Sequence, residues 1–214
     1  MNTPKQKHPR PSSQSGYTIL ESLMAIVVVT VLMVAVAPLL AFSFATRVQA
    51  KRVELGSKAA NTYIDAVRSG AVPPPTLTKQ TNPTQTNAPT SAGSLTCDAG
   101  QVCTSPVGLY CVDNDSDGKC TLPNDPTPGK GLMDMIVQGV AINNVDGATL
   151  EDGYQLIVRV YRSDAFKDSS PLQQGKLQST KGLGNPKVPL SEITTQIIGS
   201  QTSFQDIENR LQTP

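Results

Sequence analysis

The sequence predicts an α+β protein in which a long N-terminal helix, with a first half suited to a membrane, packs on a small antiparallel sheet head that carries a disulfide-rich loop. Three observations lead to this prediction. An apolar run occupies residues 22–45, residues 154–161 alternate between apolar and polar, and four cysteines fall within residues 97–120. An unbroken apolar run suits a helix in lipid, whereas alternation is typical of a strand with one buried face.

The N-terminal apolar run is long enough to cross a bilayer. As a helix, its roughly 24 residues would span about 36 Å, against a hydrocarbon core of about 30 Å. A buried core helix is one alternative, but the rest of the chain is too small and polar to enclose it. A secretory signal peptide is another, since Ala35-Val36-Ala37 has the form of a cleavage site, but Pro38 directly after it should block the cut.

A short basic leader, residues 1–16, precedes the apolar run and contains no acidic residue. With Gly16 at its end, Tyr17 next and Glu21 four residues further on, the chain resembles the type IV pilin and pseudopilin family. The resemblance implies that a prepilin peptidase cuts between Gly16 and Tyr17 on the cytoplasmic side and that Tyr17 becomes an N-methylated amino terminus. Pro38 stands where members of this family often carry a helix-kinking proline. The match covers roughly residues 10–68, and it implies a pilin-like fold.

Glu21 is the one charged residue between Pro11 and Thr46. A carboxylate in hydrocarbon costs about 2.5–3.5 kcal/mol, so such a residue usually has a function. Cleavage after Gly16 would create an ammonium group on Tyr17, and Glu21 of one subunit could then pair with the amine of its neighbour and set the axial register of a helical bundle. The alternative is that the Glu21 side chain only snorkels to the lipid headgroups.

The helix is predicted to continue beyond the membrane segment as far as Arg68. Its second half carries an apolar stripe at near-helical spacing, formed by Val53, Ala60, Tyr63, Ile64 and Val67. Ser69-Gly70 and the prolines 73–75 should end it. The Pro-, Thr- and Asn-rich residues that follow, up to 95, indicate a flexible or extended linker.

The head is predicted from two strands, residues 133–142 and 154–161, joined by turn-forming Asn, Asp and Gly residues into an antiparallel pair. Residues 192–198 are predicted as a third strand and residues 204–211 as a terminal helical turn. The segments expected along the chain are a leader (1–16), a transmembrane or filament-core helix (17–46), its continuation on the head (47–70), a linker (71–95), a cysteine- and aspartate-rich loop (96–126) and an antiparallel sheet head (127–214).

The four cysteines, Cys97, Cys103, Cys111 and Cys120, permit three pairings. Their spacings are longer than the C-x-x-C of typical zinc sites, and a head outside the membrane faces an oxidising compartment. Two disulfides are therefore favoured over a metal site or free thiols. Pairing between sequence neighbours, Cys97 with Cys103 and Cys111 with Cys120, is our working expectation, although the sequence does not determine the connectivity.

An acidic motif lies between the last two cysteines. Asp113, Asp115, Asp117 and Gly118 match the first half of a D-x-D-x-D-G calcium loop, in which alternate carboxylates converge on one hard cation and the glycine permits a sharp turn. The three aspartates are thus candidate Ca²⁺ ligands. The second half departs from the motif, because the twelfth position holds Asn124 instead of a bidentate glutamate. The alternative is a polar turn rich in Asp and Asn.

Charge and histidine content argue against two classes of function. Lys and Arg total 18 and Asp and Glu total 17, so the chain lacks the basic excess that binding to nucleic acid requires. The single histidine, His8, lies in the leader, and a chain cut after Gly16 would have no histidine for Ser-His or Cys-His catalysis or for a His-bound zinc. No paired-carboxylate site is apparent either, so we expect a protein that is not an enzyme.

The resemblance implies a minor pilin or pseudopilin of a type IV pilus-like or type II secretion-like envelope assembly. Its implied partners are the membrane, prepilin peptidase, other pilins or pseudopilins and an inner-membrane assembly platform. The implied location is the inner (cytoplasmic) membrane, crossed once, with the C-terminal head in the periplasm or on the cell surface.

Residues 12–40, 47–70 and 158–166 and the acidic cysteine loop resemble one subgroup, the pseudopilins of the cyanobacterial hormogonium polysaccharide secretion system. This similarity implies a role in polysaccharide export linked to gliding. Two alternatives remain open: a major type IV pilin that forms a surface filament, and a single-pass membrane-anchored calcium-binding or adhesive receptor in which the motif match is accidental.

Overall fold

The structure of the chain is a computed structural model that describes residues 18–80, 86–91, 93–123, 130–175 and 184–212. It divides into two compact units, Met1–Phe44 and Ala45–Pro214, and each is described by itself. The predicted α+β class is confirmed in its main parts, since the chain has one long apolar N-terminal helix, a small sheet and two disulfides.

The described part of the first unit is the start of helix α1, Ile19–Arg68. Thr18 precedes the helix, and its Oγ1 accepts a hydrogen bond from the N–H of Glu21 at 3.3 Å, as an N-cap residue does. Every side chain from Thr18 to Phe44 is exposed, although most are large and apolar. A helix that is hydrophobic on all sides belongs in lipid or inside a larger assembly. Within the described residues, α1 is the helix that is long and apolar enough to cross a membrane.

The second unit begins with the continuation of α1, which buries one stripe of its surface. The buried residues recur at helical spacing and are Gln49, Gly56, Ala59, Ala60, Tyr63, Ile64 and Val67. The predicted stripe is confirmed except at Val53, which is half-buried. After Arg68 the backbone turns at Gly70, whose φ is +74°, and the N–H of Val72 bonds back to the carbonyl of Ala66 at 3.1 Å. Gly70 therefore ends the helix in the conformation that glycine adopts most easily.

Seven strands and a short α-helix follow in the part of the head that the structure describes, besides two single 3-10 turns. They are β1 (Leu77–Lys79), β2 (Cys97–Asp98), β3 (Leu109–Val112), β4 (Lys119–Cys120), β5 (Met135–Asn143), β6 (Tyr154–Arg162), β7 (Ser191–Ile197) and α2 (Phe204–Gln212). Strand β5 is central: β6 and then β7 follow on one side, and β1 and β3 both pair with its other edge. Strands β2 and β4 form a separate small ladder.

The sheet is mixed, whereas the sequence predicts an antiparallel one. The predicted strands β5, β6 and β7 pair antiparallel, as expected, and β3, which was not predicted as a strand, also pairs antiparallel with β5. In contrast, β1 runs parallel to β5, with Leu77 opposite Ala141 and Lys79 opposite Asn143. β1 lies inside the segment predicted as a linker, and β3 lies inside the cysteine-rich loop. Both are short edge strands, and their pairing depends on a distant partner more than on a local pattern.

The sheet has two covered faces. On one face, α1 packs through Tyr63 and its neighbours against alternate residues of β5 and β6 such as Val137 and Val158. On the other face lies a second apolar cluster that includes all four cysteines, together with Ile136 and Tyr161 of the same strands. The cysteine-rich loop is therefore part of the core of the head, on the face opposite α1.

A buried arginine fixes part of the predicted linker to the sheet. Arg159 of β6 is fully buried, and its Nε lies 3.2 Å from the carboxylate of Glu192 in β7. Its guanidinium also donates to the carbonyl of Thr86 at 3.2 Å and to Thr86 Oγ1 at 2.6 Å. A buried charge is stable only when paired and hydrogen-bonded in this way, so these contacts hold the chain around Thr86 on the head.

Candidate functional site

The first candidate site is the start of α1, where the sequence places the processing and assembly residues. Gly16 and Tyr17 lie outside the described residues. Glu21 lies in the first turn of the helix, where a carboxylate is favoured by the helix dipole, and it is exposed among large apolar side chains. Its surroundings therefore combine one acid with an apolar helix surface that the rest of the described chain does not cover.

Pro38 lies inside α1 without ending it. Proline has no N–H, so the carbonyl of Val34, four residues earlier, lacks its usual helical donor. Because this helical hydrogen bond is missing, α1 is most easily bent at Pro38. An unpaired carbonyl is also energetically unfavourable in hydrocarbon.

The second candidate site lies in the disulfide-bonded loop. The disulfides join Cys97 to Cys103 and Cys111 to Cys120, which is the neighbour pairing expected from the sequence. The small β2–β4 ladder places Cys97 opposite Cys120, so the two disulfides lie side by side. The Cys111–Cys120 bond closes the base of the loop that contains the three aspartates.

Asp113 organises this acidic loop through its own backbone. Its Oδ1 accepts the N–H groups of Asp115 at 2.9 Å and Ser116 at 2.7 Å, and its Oδ2 accepts that of Gly118 at 2.8 Å. Burial opposes ionisation of Asp113, but the three N–H donors outweigh it and lower the pKa of this carboxyl. Gly118 has φ +87°, a conformation that glycine accepts at little cost. The loop is therefore held with Asp113 charged.

The structure brings the three predicted ligands together. One carboxylate oxygen from each of Asp113, Asp115 and Asp117 lies within 4.8 Å of the other two. Asn124, the residue at which the calcium motif departs, lies outside the described residues.

A fourth carboxylate, that of Asp134, lies within electrostatic range of these three, although no sequence motif points to it. Asp134 is fully buried, and its Oδ2 accepts the N–H of Thr121 at 2.9 Å. Burial raises the pKa of Asp134 to about 6, helped by the negative charges of Asp115, Asp113 and Asp117 and opposed by the Thr121 N–H. The signal in the sequence was a lone acid directly before the apolar strand β5.

Lys130 and Gly131 border the same cluster. The Nζ of Lys130 lies 3.7 Å from Asp115 Oδ1 and 3.8 Å from Asp117 Oδ2. The N–H of Gly131 donates to Asp115 Oδ2 at 3.0 Å. Gly131 has φ +71°, and a Cβ at this position would collide with the backbone of Thr121 and Leu122, so only glycine allows so close an approach.

Similarity to known proteins gives no indication of the function of this chain. No family model matches the chain, and no curated protein and no solved structure is significantly similar to it.

Proposed function

We propose that the chain is a minor pilin or pseudopilin, a non-enzymatic subunit of an envelope-spanning, pilus-like assembly. The observation that carries the proposal is the first half of α1: an apolar surface exposed on all sides that carries a single carboxylate, Glu21, in its first turn. In water such a helix would expose a large apolar surface, which is unfavourable for an isolated globular protein. A membrane or a bundle of similar helices would cover this surface.

The position of Glu21 supports assembly over simple anchoring. An anchor needs no acid, and an acid in hydrocarbon is unfavourable unless it is paired. After cleavage behind Gly16, the new ammonium of Tyr17 would be the nearest cation of suitable charge on a neighbouring subunit. This pairing fixes the axial offset between subunits, while the apolar side chains supply adhesion.

The head supports the same proposal by its construction. The second half of α1 packs on the sheet and forms one side of the core of the head. The two disulfides suit a head outside the cytoplasm, because disulfides persist in oxidising compartments. The proposed topology is one crossing of the inner membrane, with the leader in the cytoplasm and the head in the periplasm or on the surface.

The proposed partners are prepilin peptidase, other pilins or pseudopilins and an inner-membrane platform. The narrower proposal, polysaccharide secretion that supports gliding motility, rests on the resemblance of residues 12–40 and 47–70 to pseudopilins of that system. Within this proposal, the subunit is a minor component and not the main filament protein.

The decisive experiment is mass spectrometry of the amino terminus of the protein isolated from its native membranes. We expect a mature chain that begins with N-methylated Tyr17. Gly16→Ala should leave the leader attached and abolish assembly, whereas Ser15→Ala, the matched change one residue earlier, should be processed normally. A mature protein that still begins at Met1 would contradict the proposal and favour a membrane-anchored receptor.

A further inference from the structure

We propose that two copies of the chain contact each other through their heads, with Val107 of each copy entering a cavity beside Gly139 of the other. Val107 and the cavity lie next to each other on one surface of the head, so the contact can be the same in both directions. The inference depends on the head alone. It is independent of leader cleavage and of any pairing of Glu21, so it can fail while the proposed function stands.

The edge of β5 that pairs with β1 and β3 has a gap. β3 lies beside residues 135–138, and β1 lies beside residues 141–143. Gly139 and Val140 lie between these two stretches and have no strand next to them on this edge. Both neighbouring strands begin at the gap and run away from it, because β1 is parallel and β3 antiparallel to β5. The gap therefore follows from the topology of the sheet.

The backbone of Gly139 points into this gap. The carbonyl of Leu109 accepts the N–H of Cys103 at 2.6 Å, so Leu109 faces away from β5 and the next residue, Tyr110, faces it. Val137 lies opposite Tyr110, and its N–H and C=O are therefore directed at β3. Backbone groups alternate in direction along a strand, so those of Gly139, two residues further on, are directed at the same edge. Gly139 thus presents a donor and an acceptor that no described strand pairs.

A cavity of about 340 Å³ lies at the gap. Its walls are formed mainly by prolines 73–75, Val102 and Val140, and none of the residues that line it is charged. Binding sites for apolar groups typically combine such walls with a small number of polar groups that fix the orientation of the ligand. The cavity is therefore suited to an uncharged apolar group.

Tyr63 supplies one of these polar groups. It lines the cavity and is 4 % exposed, and its hydroxyl makes no hydrogen bond to the described part of the chain. Burial raises the pKa of this hydroxyl to about 12, so it stays protonated at neutral pH and can donate. A buried hydroxyl without a partner is unfavourable. The occupant should therefore bring a hydrogen-bond acceptor, such as a peptide carbonyl, together with its apolar side chain.

Val107 combines these two features. It is 84 % exposed, more than any other large apolar side chain of the described head. It lies in a turn between Pro106 and Gly108, and its N–H and C=O make no backbone hydrogen bond within the described residues. An exposed apolar side chain on an uncharged turn, with an unpaired peptide group, is the chemistry that the cavity requires.

The position of Val107 makes a second copy the fitting partner. Gly108, the next residue, lines the cavity, whereas Val107 is exposed and so does not fill the cavity of its own chain. A projection and a cavity on the same patch permit a two-fold contact, in which each copy gives and receives the same residue. Like charges do not meet, because neither the turn nor the lining is charged. Such a contact closes on two copies and does not extend a filament.

Cross-linking of the full-length protein in phosphatidylethanolamine–phosphatidylglycerol vesicles tests the contact. One valine on each side gives a small interface, so the contact should be weak unless a common membrane raises the effective concentration. With a short bismaleimide, a Val107→Cys copy should cross-link to a differently tagged Thr76→Cys copy, because Thr76 lines the cavity. Thr194→Cys, at an exposed threonine of β7 on the opposite side of the sheet, should give at least fivefold less product. Equal yields would indicate chance collisions and overturn the proposal.

Tyr63→Phe in the Thr76→Cys copy tests the cavity. Loss of the hydroxyl should lower the yield of cross-linking to Val107→Cys several-fold, because the donor to the entering peptide group is gone. Tyr110→Phe is the matched control, since its ring packs on that of Tyr63 and does not line the cavity. An unchanged yield in Tyr63→Phe would contradict entry into this cavity. The melting temperature shows whether each variant is folded.

Val107→Asp tests the projection. An amine-reactive cross-linker should give about tenfold less dimer than in the wild type, because a carboxylate would have to enter an apolar cavity. Val145→Asp, the same change at a half-exposed valine between β5 and β6, should leave the yield unchanged. A wild-type yield no higher than that of Val107→Asp would overturn the proposal and leave the cavity to a different ligand.

Discussion

At the scale of single residues, two carboxylates lie in unusual and opposite surroundings, those of Glu21 and Asp134. Glu21 is exposed and surrounded by apolar side chains, and Asp134 is buried with one oxygen lacking a hydrogen bond within the described structure. Arg159 is a useful contrast, because it is equally buried but paired with Glu192 and hydrogen-bonded to Thr86. Arg159 thus has an opposite charge beside it, whereas neither Glu21 nor Asp134 has an ion pair among the residues that the structure describes.

Glu21→Val tests the assembly role at this scale. The variant should enter the membrane at least as well as the wild type, because it removes a charge from the apolar run. Its incorporation into a filament should fall about a hundredfold or more, since removal of one partner of a buried ion pair costs about 3–5 kcal/mol and each 1.4 kcal/mol is about a factor of ten. The measurement is the fraction of the protein that co-purifies with sheared or cross-linked assemblies.

Thr30→Val is the matched control for Glu21→Val. It makes a polar residue of the same helix apolar without changing charge, and Thr30 Oγ1 only bonds back to the carbonyl of Ile26 at 2.7 Å. Normal incorporation of Glu21→Val would remove the register mechanism, and an equal loss in Thr30→Val would point to a general effect of the helix surface.

At the scale of elements, the packing of α1 on the sheet depends on one close approach. The ring of Tyr63 lies directly over Gly139 of β5, where a Cβ would come within 2.7 Å of Tyr63 Cζ. Tyr63 also packs against the ring of Tyr110 in β3, with centroids 5.3 Å apart, and burial raises the pKa of its hydroxyl to about 12. The glycine therefore lets one aromatic side chain join α1 to two strands.

Gly139→Ala should destabilise the head by about 1–3 kcal/mol, because the added methyl overpacks a well-filled core. The measurement is the urea midpoint of the full-length protein in detergent, followed by circular dichroism. In a Tyr63→Leu background the same substitution should cost less, since the ring that it meets is gone, and the double-mutant cycle gives the coupling. Equal costs in both backgrounds would show that the Tyr63 contact does not limit the packing.

At the scale of the whole molecule, the chain consists of two units with different surroundings. No side chain from Thr18 to Phe44 is buried, whereas the core of the head is made entirely of residues from Gln49 onwards. The stability of the head should therefore come from the second unit alone, and the first unit should interact with lipid or with other subunits.

A truncated chain that begins at Ala45 tests this division. It should stay in solution without detergent, form both disulfides and unfold within about 0.5 kcal/mol of the full-length head, because the missing residues bury nothing. A chain that begins at Ser57 is the control: it loses buried Gln49 and Gly56 and should unfold earlier. Aggregation of the Ala45 chain would show that the head depends on the first unit.

Features that depend on local sequence were predictable. The stripe on α1 follows from apolar residues at helical spacing, and the alternation of Tyr154, Leu156, Val158 and Val160 predicts β6 because strand side chains change face at each step. The three loop aspartates come together because they are two residues apart in a turn that their own backbone closes. Glu21 is equally a local feature, since one charge in a long apolar run is visible without a structure.

Tertiary structure alone decided the features that join distant segments. The parallel pairing of β1 with β5 brings residues 77–79 to residues 141–143, and no local pattern names that partner. Asp134 and Lys130 reach the acidic loop only because β3 pairs with β5 in one register and because Gly131 allows the backbone to approach Thr121. Register is set by the burial of whole strands, so a side chain's neighbours across a sheet are determined by the complete core and not by the sequence around it.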